Sequence, residues 1–444
     1  MRQAIILREL KSAMSKNISI EVPILARVEG EGALELHIRD DKIKTLKLKI
    51  YEPPRLFEKF LEGRSYTDVL DFVARICGIC PVAYQMSATQ AIENCFGILP
   101  SPWVRSMRRL FYCGEWLESH SMHIHFLALP DFLGFKSAPE MAKKYPEEVR
   151  RGIRLQAFGN DLIKLLGARS VHPVGACVGG FYKAPRSSEI QALLEQAKAR
   201  IEDCEALLRW LKCLPLPNYS HEFTYVSLYH PTEYPFNEGR LVSNHGLNIS
   251  IDEFDTYFKE KQVPYSTALH CLLQNKPYLV GPLARVNHCF GHLPTHIHLL
   301  LQQLQINFPS QNMYHSILAR AVEIYYCVLE SIRILEQYEQ PKASCPDIIK
   351  PHAGIGIGCT EAPRGILWQQ YQFDKKGDVK TARIVPPTSQ NQARIEEDLA
   401  ISLCQLGLDQ EEHVLRAHSE MIIRNYDPCI SCSTHFLTLN VCRE

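Results

Sequence analysis

Apolar and polar residues alternate strictly near the start of the chain. Ile18, Ile20 and Val22 are separated by polar residues, as are Leu34, Leu36 and Ile38, and then Leu46, Leu48 and Ile50. A period of two marks strands with one buried face. The charged turn Arg39-Asp40-Asp41-Lys42 joins the last two runs, so residues 17–50 read as antiparallel β structure containing a hairpin. From about residue 66 the period lengthens to three or four. Residues 188–213 place Ile190, Leu193, Leu194, Ala197, Ile201, Cys204, Leu208 and Leu211 on one stripe, with Ser187 and Ser188 as a cap and Pro215 beyond the end. Residues 311–335 repeat the pattern with Met313, Ile317, Ala321, Ile324, Val328, Ile332 and Leu335. Two such helices predict a helical bundle at the centre. Residues 214–245, rich in Pro, Tyr, Asn and His, read as a long surface excursion. The Gly- and Pro-rich stretch 345–390 holds two short strands, near 368–372 and 380–385. No repeat, low-complexity tract or linker interrupts the chain. The expected fold is α+β and predominantly helical: a central long-helix bundle, a small N-terminal antiparallel β region, and one intergrown unit over 14–435.

Composition narrows the function. A chain of 444 residues buries about three-quarters of its unfolded surface and needs no disulfide staples. Lys+Arg and Asp+Glu both number 49, so no basic field points to nucleic acid or an anionic membrane. No run of about 18 uncharged apolar residues is present, so no direct membrane insertion is expected. Arg8, Glu9 and Lys11 interrupt what would be the apolar core of a signal peptide, which predicts a cytoplasmic protein. Residues 1–13 read as a leader or a mis-called start ahead of Met14. The absence of a G-x-G-x-x-G fingerprint predicts that this chain binds no nucleotide.

Of 16 cysteines, most stand alone in apolar runs, as Cys204, Cys271 and Cys327 do, and read as small core residues. Two pairs differ: Arg75-Ile76-Cys77-Gly78-Ile79-Cys80-Pro81 and Asp427-Pro428-Cys429-Ile430-Ser431-Cys432. Each C-x-x-C lets two thiolates grip one metal, and four sulfurs favour a soft or borderline ion. Zinc ribbons close within a few dozen residues, whereas 352 positions separate Cys80 from Cys432. On spacing alone, a structural zinc and a redox metal remain equal alternatives.

The sequence around the pairs resembles the two nickel-binding signatures of NiFe-hydrogenase large subunits: RICGICPVAYQMSATQAIENCFG and DPCISCSTHF. Further blocks follow in family order: LARVEGEG, PPRLFEKFLEGR, SHSMHIHFLALPDFLGF, GARSVHPVGACVGGF, YLVGPLARVN, GIGCTEAPRG and IVPPTSQNQARIEEDL. The resemblance spans roughly residues 18–435 and is closest to the cytoplasmic, cofactor-coupled branch known as group 3.

This resemblance implies a Ni–Fe centre with cyanide and carbon monoxide on the iron, installed by maturation proteins. Cys77 and Cys429 would bind nickel terminally, and Cys80 and Cys432 would bridge nickel to iron. Heterolytic H2 cleavage needs an electron-pair acceptor and a base. The metals supply the first. The Cys429 thiolate and Arg364, in Pro363-Arg364, are the two candidates for the second. Arg stays cationic, so polarising H2 suits Arg364 better. Asp131 would pair with and aim Arg364. Glu29 would be the first proton relay, a carboxyl beside a thiolate being suited to it. Glu31 follows where many relatives carry His.

Glu58 and His435 resemble the ligands of a structural magnesium or other divalent cation, with a carbonyl ligand near 383–385. Pro387 and Thr388 match the segment that contacts an iron-bound cyanide. His120 and His123 match family histidines that are either near the centre or plain core. Tyr84 departs from the pattern, standing where relatives usually carry His, and so alters the donor near the bridging sulfur.

The resemblance also implies an iron–sulfur small subunit, since no further cluster motif is present here. It implies NAD(P)- or deazaflavin-reducing partner subunits, and a C-terminal endopeptidase that cleaves after His435 and releases 436–444. Other hypotheses are an H2-sensing regulatory relative, a complex I-related homologue, which would lack the nickel cysteines, and a zinc-stabilised binding protein.

Overall fold

The computed structural model describes residues 17–346 and 348–434. The readings of residues 1–13, Met14, His435 and 436–444 lie outside them.

Strands β1 (Ile18–Val22), β2 (Gly32–Arg39) and β3 (Lys42–Ile50) form one antiparallel sheet in the order β1-β2-β3. Asp40 and Asp41 both take positive φ, near 53° and 51°, as a tight hairpin turn demands. Ile20, Val22, Leu34, Leu36, Ile38, Leu48 and Ile50 are buried, so the alternation points as expected.

Helices follow: α1 (Phe57–Leu61), α2 (Tyr66–Val73), α3 (Pro81–Phe96) and α4 (Pro102–Met122). Pro81 opens α3 at its first position, where the missing N–H costs nothing, and Gly97 ends it at φ 67°. Helix α3 is buried on nearly every side, so it carries no polar stripe. Beyond α4 the helix widens to a π turn over His123–Ala128. Pro130 cannot close a bond back to Phe126, which accounts for the slack.

Next come α5 (Pro146–Gly167), a hairpin of β4 (Ala176–Cys177) and β5 (Gly180–Phe181), then α6 (Ser187–Ala199) and α7 (Ile201–Lys212). The single helix expected over 188–213 is therefore two. Arg200 donates to Ala197 in a tight turn, and the break lets both halves pack their stripes on a later long helix.

The surface excursion expected over 214–245 is corrected as well. It contains β6 (Val226–Tyr229) and β7 (Arg240–Ser243), and Tyr234 and Phe236 are fully buried. Phe236 lies 4.3 Å from Trp116 and Tyr234 lies 4.8 Å from Tyr326, ring centre to ring centre. A composition without period marks irregular backbone, but its aromatics still seek the core.

Helix α8 (Pro282–Cys289) and the long α9 (Ser316–Glu336) complete the bundle with α4 and α5. Three strands, not two short ones, fill the next stretch: β8 (Gly354–Ala362), β9 (Gly365–Phe373) and β10 (Val379–Val385), antiparallel in that order. Strand β8 lies directly on α3. A Cβ at Gly356 would stand 1.9 Å from the Ala91 carbonyl oxygen, so only glycine allows this approach. Helices α10 (Pro387–Leu406), α11 (Glu412–Tyr426) and the short α12 (Ile430–Ser433) end the described chain.

Candidate metal centre

The two cysteine pairs meet at the middle of the molecule. Cys77 sits on the turn after α2, and Cys80 caps α3. The second pair follows α11, where Asp427 adopts left-handed backbone at φ 57° and turns the chain into Pro428 and Cys429. Residue 29 then pairs with Cys429 as a parallel bridge, Ile430 N–H donating to the Glu29 carbonyl at 2.9 Å. The first and last parts of the described chain thus close on each other.

All four sulfurs are buried and lie within 4.8 Å of one another. Cys77 and Cys429 stand 3.4 Å apart and Cys80 and Cys432 3.5 Å apart, with the Cys429 and Cys432 sulfurs also in contact. Two thiolates on one metal at about 2.3 Å would be about 3.7 Å apart, so the donor set fits a shared metal site. A hydrogen bond from Cys80 holds the Cys77 thiol below its usual range despite burial, and the same contact with burial pushes Cys80 up.

Arg364 is the buried cation that acts on these sulfurs. It sits with Pro363 at the two-residue tip between β8 and β9. Burial opposes its charge, but the Asp427 carboxylate and the Cys80 and Cys77 sulfurs hold its pKa above the ordinary value. Its Nε donates to the Asp427 carbonyl at 2.8 Å and one terminal nitrogen to the Asp427 carboxylate at 2.9 Å. The other terminal nitrogen, Nη1, is buried with no partner among the described residues.

The pairing expected between Arg364 and Asp131 is corrected by this geometry. Asp131 instead binds Arg27 and, through both oxygens, Arg424 at 2.6 and 2.9 Å. It belongs to the segment beyond the π turn and braces α11, whereas Asp427 is already carried to Arg364 by the cysteine motif.

A buried ionic network holds the arginine tip from behind. Arg285 on α8 donates to both oxygens of Glu323, to Glu361, and to the carbonyls of Ala362 and Pro363, all at 2.7–2.9 Å. Its guanidinium also lies 4.0 Å over Trp116. His120 faces Glu323 at 2.8 Å through Nε2 and Arg320 at 3.2 Å through Nδ1. Glu323 is ionised and Arg320 can only donate, so Nε2 carries the proton. Arg320 then reaches Asp427 at 3.2 Å. His120 is thus part of the support of Arg364. His123 lies near Asp427, its Nε2 donating to the Arg424 carbonyl at 2.8 Å.

The remaining expected residues divide as follows. Glu29 accepts a hydrogen bond from Ser431 N–H at 3.0 Å, between the two C-terminal cysteines. Thr388 accepts from Cys429 N–H at 3.0 Å, and Pro387 begins α10 beside it. The Tyr84 hydroxyl is buried near the sulfurs without a partner among the described residues; burial, then Cys80 and Cys77, push its pKa well up, so it keeps its proton. Glu58 accepts from Ile384 N–H at 2.7 Å, within the 383–385 stretch.

Three contributors were missed from sequence. Asp427 is the partner of Arg364. Arg55 donates to the Ile76 carbonyl at 2.6 Å and to the Ser431 carbonyl, tying both cysteine loops together. Glu115 accepts from Val82 and Ala83 N–H at 2.6 and 3.1 Å, capping the helix that starts after Cys80. Asp427 and Arg55 stand inside blocks that carry the resemblance, DPCISC and PPRLFEKF, and that was their only signal.

Comparison with known proteins agrees with this site. A family model described as nickel-dependent hydrogenase matches residues 55–153. The alpha subunit of sulfhydrogenase 1 from Pyrococcus furiosus is 31% identical over 442 residues, covering 96% of this chain and 100% of that one. A chain of the F420-non-reducing hydrogenase of Methanothermobacter marburgensis is 28% identical over 459 residues, covering 94% of this chain and 95% of that one. A solved NAD+-reducing [NiFe]-hydrogenase in its H2-reduced state superposes with a TM-score of 0.87 at 25% identity, covering 95% of this chain and 100% of that one. The chain belongs to the nickel-dependent hydrogenase family, as a catalytic large subunit with a Ni–Fe centre.

No helix among the described residues is long and apolar enough to cross a membrane.

Proposed function

We propose that this chain oxidises H2 and reduces protons reversibly at a Ni–Fe centre held by Cys77, Cys80, Cys429 and Cys432. The observation that carries this reading is the set of four buried sulfurs with the buried cation Arg364 acting on Cys77 and Cys80. Cys77 and Cys429 would be the terminal nickel ligands, and Cys80 and Cys432 the bridging ones. When bound, the centre supplies the two-electron redox chemistry, with cyanide and carbon monoxide on its iron.

The protein's own groups do the rest. Arg364 stays cationic beside the sulfurs and would polarise H2, its Nη1 having no partner among the described residues. The Cys429 thiolate takes the proton. Glu29, anchored by Ser431 N–H, receives it next. The Thr388 oxygen accepts from Cys429 N–H, so its own hydrogen would be available to a cyanide on the iron, with Pro387 beside it. Tyr84 would keep a protonated hydroxyl near Cys80 and Cys77. Glu58, with His435, would hold a magnesium ion at the C-terminal end, and cleavage after His435 would complete the mature unit.

Electrons would leave past Gly78, which is exposed between Cys77 and Cys80. Val171, 53% exposed, lies beside it, on the segment ahead of β4 that braces the Cys77 turn. An iron–sulfur small subunit would cover this apolar patch and hand electrons to an NAD(P)-reducing partner. The NAD+-reducing neighbour favours that acceptor. The relative named sulfhydrogenase gives a second reading, electrons passing to sulfur or polysulfide. The complex should be assayed with both.

Metal analysis of the purified complex, with infrared spectra in the cyanide and carbonyl region, tests the centre. Equimolar nickel and iron with those bands are expected. Zinc alone without bands, from a host with working maturation machinery, would overturn the proposal.

A further inference from the structure

Outside the metal centre, among the described residues, two pairs of cysteines come together from distant parts of the chain: Cys113 with Cys327, sealed in the core, and Cys177 with Cys345, which reaches the surface. Cys177 lies on β4 and pairs across the hairpin with Gly180. Cys345 lies in the connection between α9 and β8. That connection runs directly over Gly180. A Cβ there would stand 2.0 Å from the Ser344 carbonyl oxygen and 3.0 Å from the Cys345 Cα, so the absence of a side chain is what seats it. Phe181 N–H donates to the Ser344 carbonyl at 2.9 Å and fixes the register. Cys177 and Cys345 are therefore both neighbours of one glycine.

Burial, then the Cys345 sulfur, push the Cys177 thiol up to about 12. Both residues are half-buried and line one surface cleft of about 180 Å³ with Tyr66, Leu70, Tyr182 and Pro346. The remaining cysteines outside the metal centre are, among the described residues, either deep in the core or, like Cys213 and Cys404, exposed.

We propose that Cys177 and Cys345 form a reversible dithiol–disulfide site that is oxidised by small-molecule disulfides entering this cleft. A disulfide RSSR is attacked by the Cys345 sulfur, giving a mixed disulfide and one RSH. The Cys177 sulfur then displaces the second RSH and forms the Cys177–Cys345 bond. The pair loses two electrons and two protons, and RSSR gains both. The product staples the α9–β8 connection to the hairpin.

The position matters for the metal centre. The segment leading to Cys177 braces the first cysteine motif at two points: His172 Nδ1 donates to the Ala74 carbonyl at 2.7 Å, and Gln85 donates to the Pro173 carbonyl at 2.8 Å. Ala74 and Gln85 flank Cys77 and Cys80 on either side. Closing the bond stiffens the support of that turn.

The test uses the purified complex, exposed anaerobically to oxidised glutathione, then blocked with N-ethylmaleimide and digested without reductant. Mass spectrometry should find the Cys177 and Cys345 peptides joined and two hydrogens lighter than their sum, separating on dithiothreitol. In Cys345→Ser the Cys177 peptide should be recovered unlinked. Cys213 and Cys404, carrying glutathione singly, report that the oxidant acted. If those two have reacted while Cys177 and Cys345 are recovered alkylated, or each with its own glutathione, the proposal is overturned.

Discussion

Arg364 is useful only if its charge is retained and its fork is aimed. Asp427 does both, and its carboxylate is itself held below the ordinary range by Arg364, His123 and Arg320, against burial. Arg364→Lys keeps the charge and loses the fork. We expect turnover to fall about a hundredfold or more, the loss typical of one preorganised donor, while nickel and iron contents stay equal. A variant with unchanged turnover would remove Arg364 from the chemistry.

Arg55 acts at another point, linking the carbonyls of Ile76 and Ser431 in the two cysteine loops. Arg55→Ala should leave the fold in place and lower nickel occupancy, read as the nickel-to-iron ratio after dialysis. A ratio equal to wild type would contradict that. At this scale the four cysteines were legible because two C-x-x-C motifs are rare and chemically specific. Asp131 was misread because two carboxylates compete for the same arginine on paper, and only the path of the chain after α11 brings Asp427 to it.

Helix α4 and the π turn after it carry three fully buried histidines. Burial, opposed by the Glu323 contact, lowers His120 to about 4; burial also lowers His123 to about 3 and His125 to about 4. Each is neutral in the folded chain and takes a proton near pH 6.5 once unfolded. Between about 6.5 and about 4 the unfolded state therefore binds more protons, and stability falls as pH falls. Thermal unfolding from pH 7 to 4.5 should show a falling midpoint. His120→Gln, which keeps a polar side chain without titrating, should flatten part of that slope; an unaltered slope would exclude His120 as a source.

The strands and helices of clean period were readable as elements: β1–β3 from alternation and α9 from its stripe. The break at Arg200 was not, because α6 and α7 have one continuous stripe and only packing against α9 decides the bend. Nor was β8 legible. Its alternating glycines carry no hydrophobic signal, and their purpose appears only when α3 lies against them.

On the scale of the whole molecule, the metal site joins the early and late parts of the described chain. Residue 29, Arg55, the Cys77 turn and the segment 427–434 meet there. A metal that binds only this arrangement stabilises the fold by linkage, by about 3 kcal/mol at a hundredfold excess over its dissociation constant. Protein made without nickel should melt lower than loaded protein, and limited proteolysis should cut first in 17–50 or 412–434. Equal melting of both forms would show that the ends hold without the metal.

The Arg285–Glu323–Glu361 network is a second whole-molecule feature, fully buried. Arg285→Met leaves two acidic groups uncompensated and should cost about 3–5 kcal/mol, measured by denaturant unfolding. A loss under about 1 kcal/mol would mean that the network contributes little to stability.

The sequence by itself determined the donor atoms, their spacing and the family, because metal ligation depends on residue type and a few local neighbours. It also determined the strands and helices whose periodicity is local. The tertiary structure alone decided which acid pairs with Arg364, how the 214–245 aromatics reach the core, and which cysteines far apart in the chain become neighbours. Those outcomes depend on how separate elements pack, and packing is a property of the whole chain rather than of any window within it.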